Sequence, residues 1–428
     1  MDSQQDGGVP IDAIDEVTYW SIVWGQFKKN KLAYGGFWAT IGLVALAIYA
    51  PVIVLERPFY ISYANAEGVS VTEFPWFWSL FDRLLFENGI DVFFNILLVA
   101  SPLAILSGFV IARMAKGNPV KIRSKLWRRL VGTWLVLLVV VTVVVSLNPS
   151  SYPFVDYRDI YAQGVAQSEL AKVTGKEATQ IPSAIFPPVA QSFRNAELSE
   201  VLVDAGGNHL LGTDNRGRDV FARMIYGTRI ALTIGVVAVS IYLFIGVILG
   251  ALAGFFAGKV DMAVLRLIEI MRCFPTLLLI MTLVAFVDDP TIWHVMLIIG
   301  VVRWTGPARL VRGEFLKLRG EDFVAAAVAS GVPQWRVIFR HVLPNALSPV
   351  LVNATFGVAV CILIEATLSF LGLGDASAPS WGETLNIGKQ NGELIMILAP
   401  GFAIFITVSL LNLVGEGLRD ALDPKLRR

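Results

Sequence analysis

Long apolar runs separated by polar segments extend along almost the whole chain, and this pattern predicts membrane-spanning helices. A helix needs about 20 apolar residues to cross a bilayer, and these runs are continuous rather than alternating as in strands. Eight runs meet the description, at roughly 33–55, 92–113, 130–147, 231–256, 266–287, 291–303, 346–371 and 396–418. Asp288, Asp289 and Pro290 suit a tight turn between the fifth and sixth runs. We therefore expect an all-α polytopic membrane protein with about eight transmembrane helices.

The composition agrees with this class of protein. Hydrophobic residues make up 55% and charged residues 16% of the 428-residue chain, and its mean hydropathy is +0.64. Cys273 and Cys361 lie in apolar runs, and the His residues are too scattered to form a ligand set. We expect neither a metal nor a cofactor in this chain.

The charge pattern predicts which side of the membrane each segment occupies. With a cytoplasmic N-terminus, the inner segments hold Lys28, Lys29 and Lys31, the basic loop KGNPVKIRSKLWRR, the segment 304–345 and the basic C-terminus. The outer segments are mostly acidic, so the positive-inside rule places both termini in the cytoplasm. The acidic leader and the long first run indicate that there is no cleavable signal peptide. VTYWSIVWGQFKKNK suits a short helix at the inner surface, or else a continuation of the first span.

Glycines recur every four residues in the fourth run and place small residues on one helix face. They are Gly246, Gly250, Gly254 and Gly258 in GVILGALAGFFAG. Because packing drives helix association in lipid, such a face predicts a close helix contact, within the chain or across a dimer.

Carboxylates within the runs offer candidate chemistry. Glu365 lies deep in CILIEATLSFLGLG and Glu269 near the inner end of its run, so either carboxylate suits a pathway or a polar pair between helices. GLGD at Asp375 occurs in some intramembrane aspartyl proteases, which need a second aspartate close by. No predicted run carries an Asp in its interior, so a turn that ends the helix is the favoured interpretation.

The segment between the sixth and seventh runs has the pattern of a short helix–turn–helix. EDFVAAAVASG favours a helix, Gly331 ends it, and Pro333 starts PQWRVIFRHVL. That second helix has Trp335, Ile338, Phe339 and Val342 at helical spacing, with Arg336 and Arg340 on another side. Such a helix suits either a partner's groove or lipid headgroups.

AAAVASGVPQWRVIFRHVLP resembles the cytoplasmic EAA loop of binding-protein-dependent ABC importer permeases. The matching residues are Ala326, Ala327, Gly331, Leu343 and Pro344, with His341 where the oligopeptide/dipeptide branch commonly has histidine. Ala325 replaces the glutamate of the motif. HLLGTDNRGRDVFARMIYGTRIALTIG, CFPTLLL, RWTGPARLVRGEFL, EATLSFLGLG, PSWGETL and GEGLRDALDP continue the likeness to the C-type subunit of this branch.

The resemblance implies a division of the chain. We expect a cytoplasmic segment with an interfacial helix at 1–32, a first core span at 33–55 and an inserted region with an extra transmembrane hairpin at 56–150. An extracytoplasmic segment follows at 151–225, and then the permease core at 226–428 with its coupling loop at 304–345.

The resemblance also implies partners and roles. These are two ATPase subunits, a second related permease and an extracytoplasmic solute-binding protein, in a bacterial inner membrane. Trp335 and Phe339 would fill a groove on an ATPase, Arg336 and Arg340 would contact its acidic rim, and Gly331 would set the angle of the loop. The chain has no GxxxxGK[ST] motif of its own, so ATP hydrolysis is expected in the partners. The cargo would be peptides or similar small solutes.

The alternative function is a secondary transporter or channel coupled to ions or protons through Glu365 and Glu269.

Overall fold

Helices form most of the chain. The computed structural model describes residues 19–64, 70–114, 120–147 and 183–422. The acidic leader, part of the basic loop, most of the polar stretch before 183 and the basic C-terminus lie outside these residues. The first helices are α1 (Tyr19–Lys29), α2 (Lys31–Ile48), α3 (Ala50–Ile53), α4 (Pro75–Ser79), α5 (Gly89–Met114) and α6 (Val120–Leu147).

The second group of helices contains the permease core that the sequence predicts. They are α7 (Val220–Phe256), α8 (Gly258–Arg272), α9 (Thr276–Ala285), α10 (Ile292–Arg303), α11 (Thr305–Leu318), α12 (Asp322–Ala329), α13 (Gln334–Arg336), α14 (Leu343–Phe370), α15 (Trp381–Asn391) and α16 (Leu394–Leu422). A π-helical segment, Val337–Val342, joins α13 to α14.

Six helices of the described chain are long and apolar enough to cross a membrane, or seven if a bent pair is counted. They are α2, α5, Leu126–Val145 of α6, α7, Gln334–Phe370 and α16. The predicted all-α membrane architecture is confirmed, whereas the number of eight spans is not.

The difference lies in the fifth and sixth apolar runs. Helices α8 and α9 meet at a 78° bend, with Pro275 as the N-cap of α9. A proline disfavours helical backbone in the residue before it, so one continuous span cannot form there. With 10 and 12 residues, α9 and α10 are only about 15 and 18 Å long, against an apolar core of about 30 Å. Asp288, Asp289 and Pro290 separate these two helices, as predicted.

Helix α1 is separate from the first span. It ends at Lys29, and the side chain of Asn30 caps α2 by accepting a hydrogen bond from Ala33 N at 3.1 Å. Phe27 of α1 is buried beside Leu422 at the end of α16. The sequence prediction of a distinct helix is confirmed, and its position on the membrane surface stays a prediction.

A small antiparallel sheet, which the apolar runs do not predict, connects distant parts of the chain. Its order is β2 (Ser70–Glu73), β1 (Tyr60–Ala64) and β3 (Ser183–Ile185). Ile61 of β1 lies opposite Glu73 of β2 and Ala184 of β3. The segments after the first span and before α7, which the charge pattern places on the same outer side, therefore pair with each other.

Helix α7 lies at the centre of the bundle. It packs against α11, α14, α10, α2 and α15. The hairpin of α5 and α6 lies at the edge, where α5 packs against α2 and α7 and α6 packs along α5. Most described side chains of α6 are exposed, and they are largely Val and Leu, which suits contact with lipid.

Candidate functional site

The loop between α11 and α14 forms two short helices joined by a tight turn. At the end of α12, Val332 N donates to Ala327 O at 3.2 Å and Gly331 N donates to Val328 O at 3.0 Å, which is a Schellman turn. Gly331 has a φ of +73°, a backbone conformation that favours glycine. The predicted break at Gly331 is confirmed.

The second helix of this loop divides its side chains between the core and the outside. Val337, Ile338 and Val342 are buried in a cluster with side chains of α11. Trp335 is 61% exposed and Phe339 is 46% exposed. The buried side chains therefore anchor the loop to α11, whereas Trp335 and Phe339 remain available for a partner.

The loop enters α14 through a widened turn. Pro344 has no N–H to donate to the carbonyl of Arg340, four residues earlier. Leu343 N instead donates to Ile338 O, five residues earlier, and Asn345 Nδ2 donates to His341 O at 2.8 Å. A single π-turn of this kind accommodates a proline inside a continuous helix, and it occurs often at functional sites.

The other loop residues of the sequence prediction lie beside the exposed aromatic pair. The guanidinium carbon of Arg336 is 5.3 Å from the ring centroid of Trp335, a cation–π contact. Arg336, Arg340, Ala326 and Pro344 are exposed, and Ala327, His341 and Leu343 are half-buried. Ala325, at the position of the motif's glutamate, is exposed as well. The loop thus presents one surface with two positive charges and two aromatic rings.

Three of the four glycines of the predicted close-packing face allow α11 to approach α7 closely. A Cβ at Gly250 would lie 2.5 Å from Ala308 O, and one at Gly254 would lie 2.5 Å from Phe315 Cβ. At Gly246 the nearest atom would be Pro307 Cβ, at 2.8 Å. The predicted close contact is therefore present, and its partner is a helix of the same chain.

Gly258 does not belong to this contact. Helix α7 ends at Phe256, and Gly258 begins α8 with a φ of +56°. No atom lies within 4 Å of the place where its Cβ would be. Its assignment to helix packing is wrong, because the chain leaves the helix before the fourth glycine reaches α11.

A cavity of about 570 Å³ lies between α7, the end of α8, α9 to α11 and α14. Tyr242, Arg303, Asn353 and Thr367 contribute to its lining. The last two residues are separated by about 21 Å along α14, so the cavity extends along the direction in which the helix crosses the membrane. Its mixed polar and apolar lining suits a small polar solute.

The two carboxylates considered for transport do not line this cavity. Glu365 is 2% exposed, and its Oε1 accepts hydrogen bonds from Ser369 Oγ and Ser380 Oγ, both at 2.7 Å. Glu269 is exposed and pairs with Arg266 at 2.8 Å on the same helix. Glu365 therefore connects α14 to the N-cap of α15, and Glu269 belongs to a surface ion pair.

Asp375, the aspartate of GLGD, ends a helix rather than forming a catalytic pair. Its Oδ2 accepts from Ile292 N at 3.0 Å, and its Oδ1 accepts from Ser377 N at 2.9 Å. Oδ1 therefore stabilises the turn after α14 and Oδ2 binds the first N–H of α10, which agrees with the favoured structural interpretation of this motif.

The sequence motifs before α7 and at the start of α15 meet in a buried ionic contact that their patterns do not predict. Glu383 accepts from Arg218 Nη2 at 3.2 Å and from Arg223 Nη2 at 2.6 Å. Arg218 Nε also donates to Asp214 Oδ2 at 2.7 Å. HLLGTDNRGRDVFARM and PSWGETL therefore form one unit at the N-terminal end of α7.

A buried histidine stabilises the start of α7. His209 Nδ1 lies 2.8 Å from Asp219 Oδ2, and its Nε2 lies 2.8 Å from Glu200 Oε2. Asp219 also caps the helix by accepting from Ala222 N at 2.7 Å. Burial raises the pKa of Asp219, while the hydrogen bonds from Ala222 and His209 act in the opposite direction.

Arg229 attaches the inserted hairpin to the core. This fully buried side chain donates to Asp91 Oδ1 at 3.0 Å, to Asn95 Oδ1 at 2.9 Å and to Ala47 O at 2.8 Å. One guanidinium thus connects α7 to α5 and to the end of α2. In the sequence, Arg229 lies just before the apolar run predicted at 231–256, so the prediction leaves this arginine outside the helix, whereas α7 begins at Val220.

Comparison with known families divides the chain into two matched parts. Residues 246–428 match the binding-protein-dependent transport system inner membrane component. Residues 18–67 match the N-terminal TM domain of oligopeptide transport permease C. The α5–α6 hairpin, the sheet strands β2 and β3 and the first part of α7 lie between these matches.

Individual relatives are permeases of the same branch. The chain is 41% identical over 249 residues to the dipeptide transport system permease protein DppC of Alkalihalophilus pseudofirmus, which covers 57% of this chain and 82% of the relative. It is 41% identical over 224 residues to the oligopeptide transport system permease protein OppC of Haemophilus influenzae, covering 52% and 72% respectively.

Other similar proteins are named for other substrates. Identity to the glutathione transport system permease protein GsiD of Pectobacterium atrosepticum is 38%, over 51% of this chain and 73% of the relative. An inward-facing structure of the MetNI methionine ABC transporter covers 47% of this chain and 97% of its own, with 21% identity and a TM-score of 0.39, a likeness too weak to define the fold. The identity and coverage of the curated relatives are sufficient to assign a family. The chain belongs to the binding-protein-dependent ABC importer permeases, as a C-type subunit of the oligopeptide/dipeptide branch.

Proposed function

We propose that the loop 322–342 is the surface through which ATPase subunits drive this permease. The observation that carries the proposal is the exposure of Trp335 and Phe339 on a helix whose other apolar side chains are buried against α11. Exposed aromatic side chains on an anchored helix suit a hydrophobic groove on a partner. Arg336 and Arg340 would meet acidic groups at the rim of that groove.

A movement of this loop would be transmitted to the cavity through the two helices that the loop contacts. The loop packs against α11 and continues into α14, and both helices contribute to the cavity lining. A pull on the anchored loop helix would therefore shift two walls of the cavity together. This arrangement supports mechanical coupling, with ATP hydrolysed in separate subunits.

The complete transporter, in our proposal, contains two ATPase subunits, a second related permease and an extracytoplasmic solute-binding protein. The cargo is peptides or similar small solutes, since the relatives are named for dipeptides, oligopeptides and glutathione. The cavity along α14 would form this chain's share of the pathway through the bacterial inner membrane.

We also propose that both termini are cytoplasmic. The pairing of β1 with β3, and the contact of α1 with the end of α16, join segments that the charge pattern places on the same side. In this orientation 1–32 and 304–345 lie inside and 151–225 lies outside. The span at 33–55 and the core at 226–428 are then separated by the inserted region at 56–150.

The docking surface is tested by affinity purification of the detergent-solubilised protein from its native membrane. The parent should bring down ATPase subunits and a second permease. The double variant Trp335→Ala/Phe339→Ala should keep the second permease and lose the ATPases, because only the exposed rings are removed.

The matched control is Phe402→Ala/Phe405→Ala, which removes two aromatic rings that are 60% and 66% exposed on α16. This variant should retain both kinds of partner. Retention of the ATPases by the loop variant would contradict the docking surface.

A further inference from the structure

The large cavity has a strongly one-sided charge. Arg272, Arg303 and Arg309 contribute to its lining, and within the described chain no Asp or Glu does. The other polar lining residues are Tyr242, Thr276, Thr305, Asn353 and Thr367. None of the three arginines forms an ion pair with a carboxylate of the described residues. The carboxylate of Glu269 lines an adjoining pocket with Arg272 and Arg309 and pairs with Arg266, so the cavity itself carries a net positive charge.

Arg303 stands out because of its depth in the membrane. It is the last residue of α10, whose first residue is held at the outer end by Asp375. The helix rises about 17 Å between Ile292 and Arg303, which is about half the thickness of an apolar layer of about 30 Å. A charge at such depth is costly and is normally kept for a pathway or a partner charge.

The other two arginines lie on neighbouring elements. Arg272 ends α8 and Arg309 lies one to two turns beyond Arg303 on α11. Together with Asn353 of α14 they line the same cavity. A planar carboxylate fits this set, because a guanidinium can donate two parallel hydrogen bonds to it.

We propose that this cavity binds the carboxylate end of a solute in transit, with Arg303 as the principal contact and Arg272 and Arg309 as supporting charges. The inference rests on the proposed function, since a peptide carries an ionised α-carboxylate at neutral pH. It adds a specificity: solutes with a free carboxylate are bound, and their amides are discriminated against.

The test measures binding rather than transport. The purified complex of permeases and ATPases, without binding protein and in a neutral detergent, is equilibrated by dialysis with radiolabelled tetraalanine or its C-terminal amide. The free acid should bind about tenfold more tightly than the amide, the magnitude expected for one charge-assisted contact.

Substitutions of arginine test whether the preference for the free acid depends on Arg303. Arg303→Gln should abolish the preference for the free acid, and Arg303→Lys should retain part of it, because the charge remains but the planar fork is lost. Arg266→Gln is the matched control, since Arg266 lies on α8 with Arg272 but does not line the cavity. It should behave like the parent.

Three results would overturn the proposal. They are equal binding of acid and amide, a preference that survives in Arg303→Gln, and no binding of the acid at millimolar concentration. Arg303-dependent binding of phosphatidylglycerol without binding of tetraalanine would assign the charge to lipid instead.

A parallel transport assay separates this inference from the proposed function. The complex is reconstituted in phosphatidylcholine vesicles with its binding protein and ATP. Import of tetraalanine together with equal binding of acid and amide overturns only the carboxylate site. Absence of any peptide import overturns the proposed cargo.

Discussion

A single arginine decides how the inserted hairpin is held. Arg229 has no exposed surface. Its guanidinium donates hydrogen bonds to Asp91 and Asn95 of α5 and to Ala47 O of α2. A buried charge of this kind is costly unless it is paired and hydrogen-bonded. The pair therefore gives the insertion a defined position against α7, where apolar contact alone would allow sliding.

Removing the carboxylate of that pair should destabilise the protein strongly. Asp91→Ala leaves Arg229 buried without its counter-charge, a change that costs about 3–5 kcal/mol. We expect a lower thermal unfolding midpoint in detergent and faster proteolysis within the inserted region. Both can be followed on one purified sample.

The control is Glu87→Ala, which breaks the more exposed pair between Arg194 and Glu87 near the same end of α5. Such surface pairs contribute about 0–1 kcal/mol, so this variant should unfold close to the parent. Equal destabilisation by the two substitutions would show that the buried pair of Asp91 with Arg229 contributes no more to stability than the surface pair.

At the scale of elements, the loop 322–342 combines a rigid turn with a rigid exit. The Schellman turn at Gly331 sets the angle between α12 and α13, and the π-turn at Pro344 sets the angle of entry into α14. Since the loop is buried along one side, these two joints determine where Trp335 and Phe339 point.

Changing Gly331 should separate transport from ATP hydrolysis. A Cβ there would meet no atom within 4 Å, so the effect of Gly331→Val comes from its φ of +73° and not from a clash. Left-handed backbone costs a branched residue about 1–2 kcal/mol or more, which favours another loop geometry. We expect normal membrane insertion and retained ATPase activity, with little transport in reconstituted vesicles.

Gly331→Asn is the control, because asparagine tolerates the left-handed conformation. It should transport close to the parental rate. Unchanged transport in Gly331→Val would remove the turn from the coupling mechanism.

At the scale of the whole molecule, contacts between distant segments define two faces. One face contains the sheet and the Arg218–Arg223–Glu383 contact, and the other contains the loop 322–342 and the junction of α1 with α16. In the proposed orientation these are the outer and the inner face. The proposed position of both termini on the inner face requires an even number of crossings.

This topology can be checked by labelling single cysteines in a Cys273→Ser/Cys361→Ser background with a membrane-impermeant maleimide. Leu198→Cys, at a site that is 83% exposed, should react in intact spheroplasts. Ser330→Cys, in the exposed turn of the loop, should react only after permeabilisation. The opposite labelling would invert the proposed orientation.

Features that depend on local physics can be predicted from the sequence alone. Apolar length predicts membrane helices because lipid cannot satisfy free backbone groups, and the break at Gly331 follows from the conformational freedom of glycine. The loop pattern and the motifs around it were also sufficient to indicate the permease family, which the relatives confirm.

Contacts between distant residues became known from the folded structure. It showed that Gly246, Gly250 and Gly254 contact α11 while Gly258 does not, and that Glu365 binds two serines. It also joined Arg229 to Asp91 across the insertion and placed Arg303 at a cavity. Hydropathy assigns each residue a side of the bilayer, but a buried charge is stabilised by partners more than a hundred residues away, and their position follows only from how the helices pack.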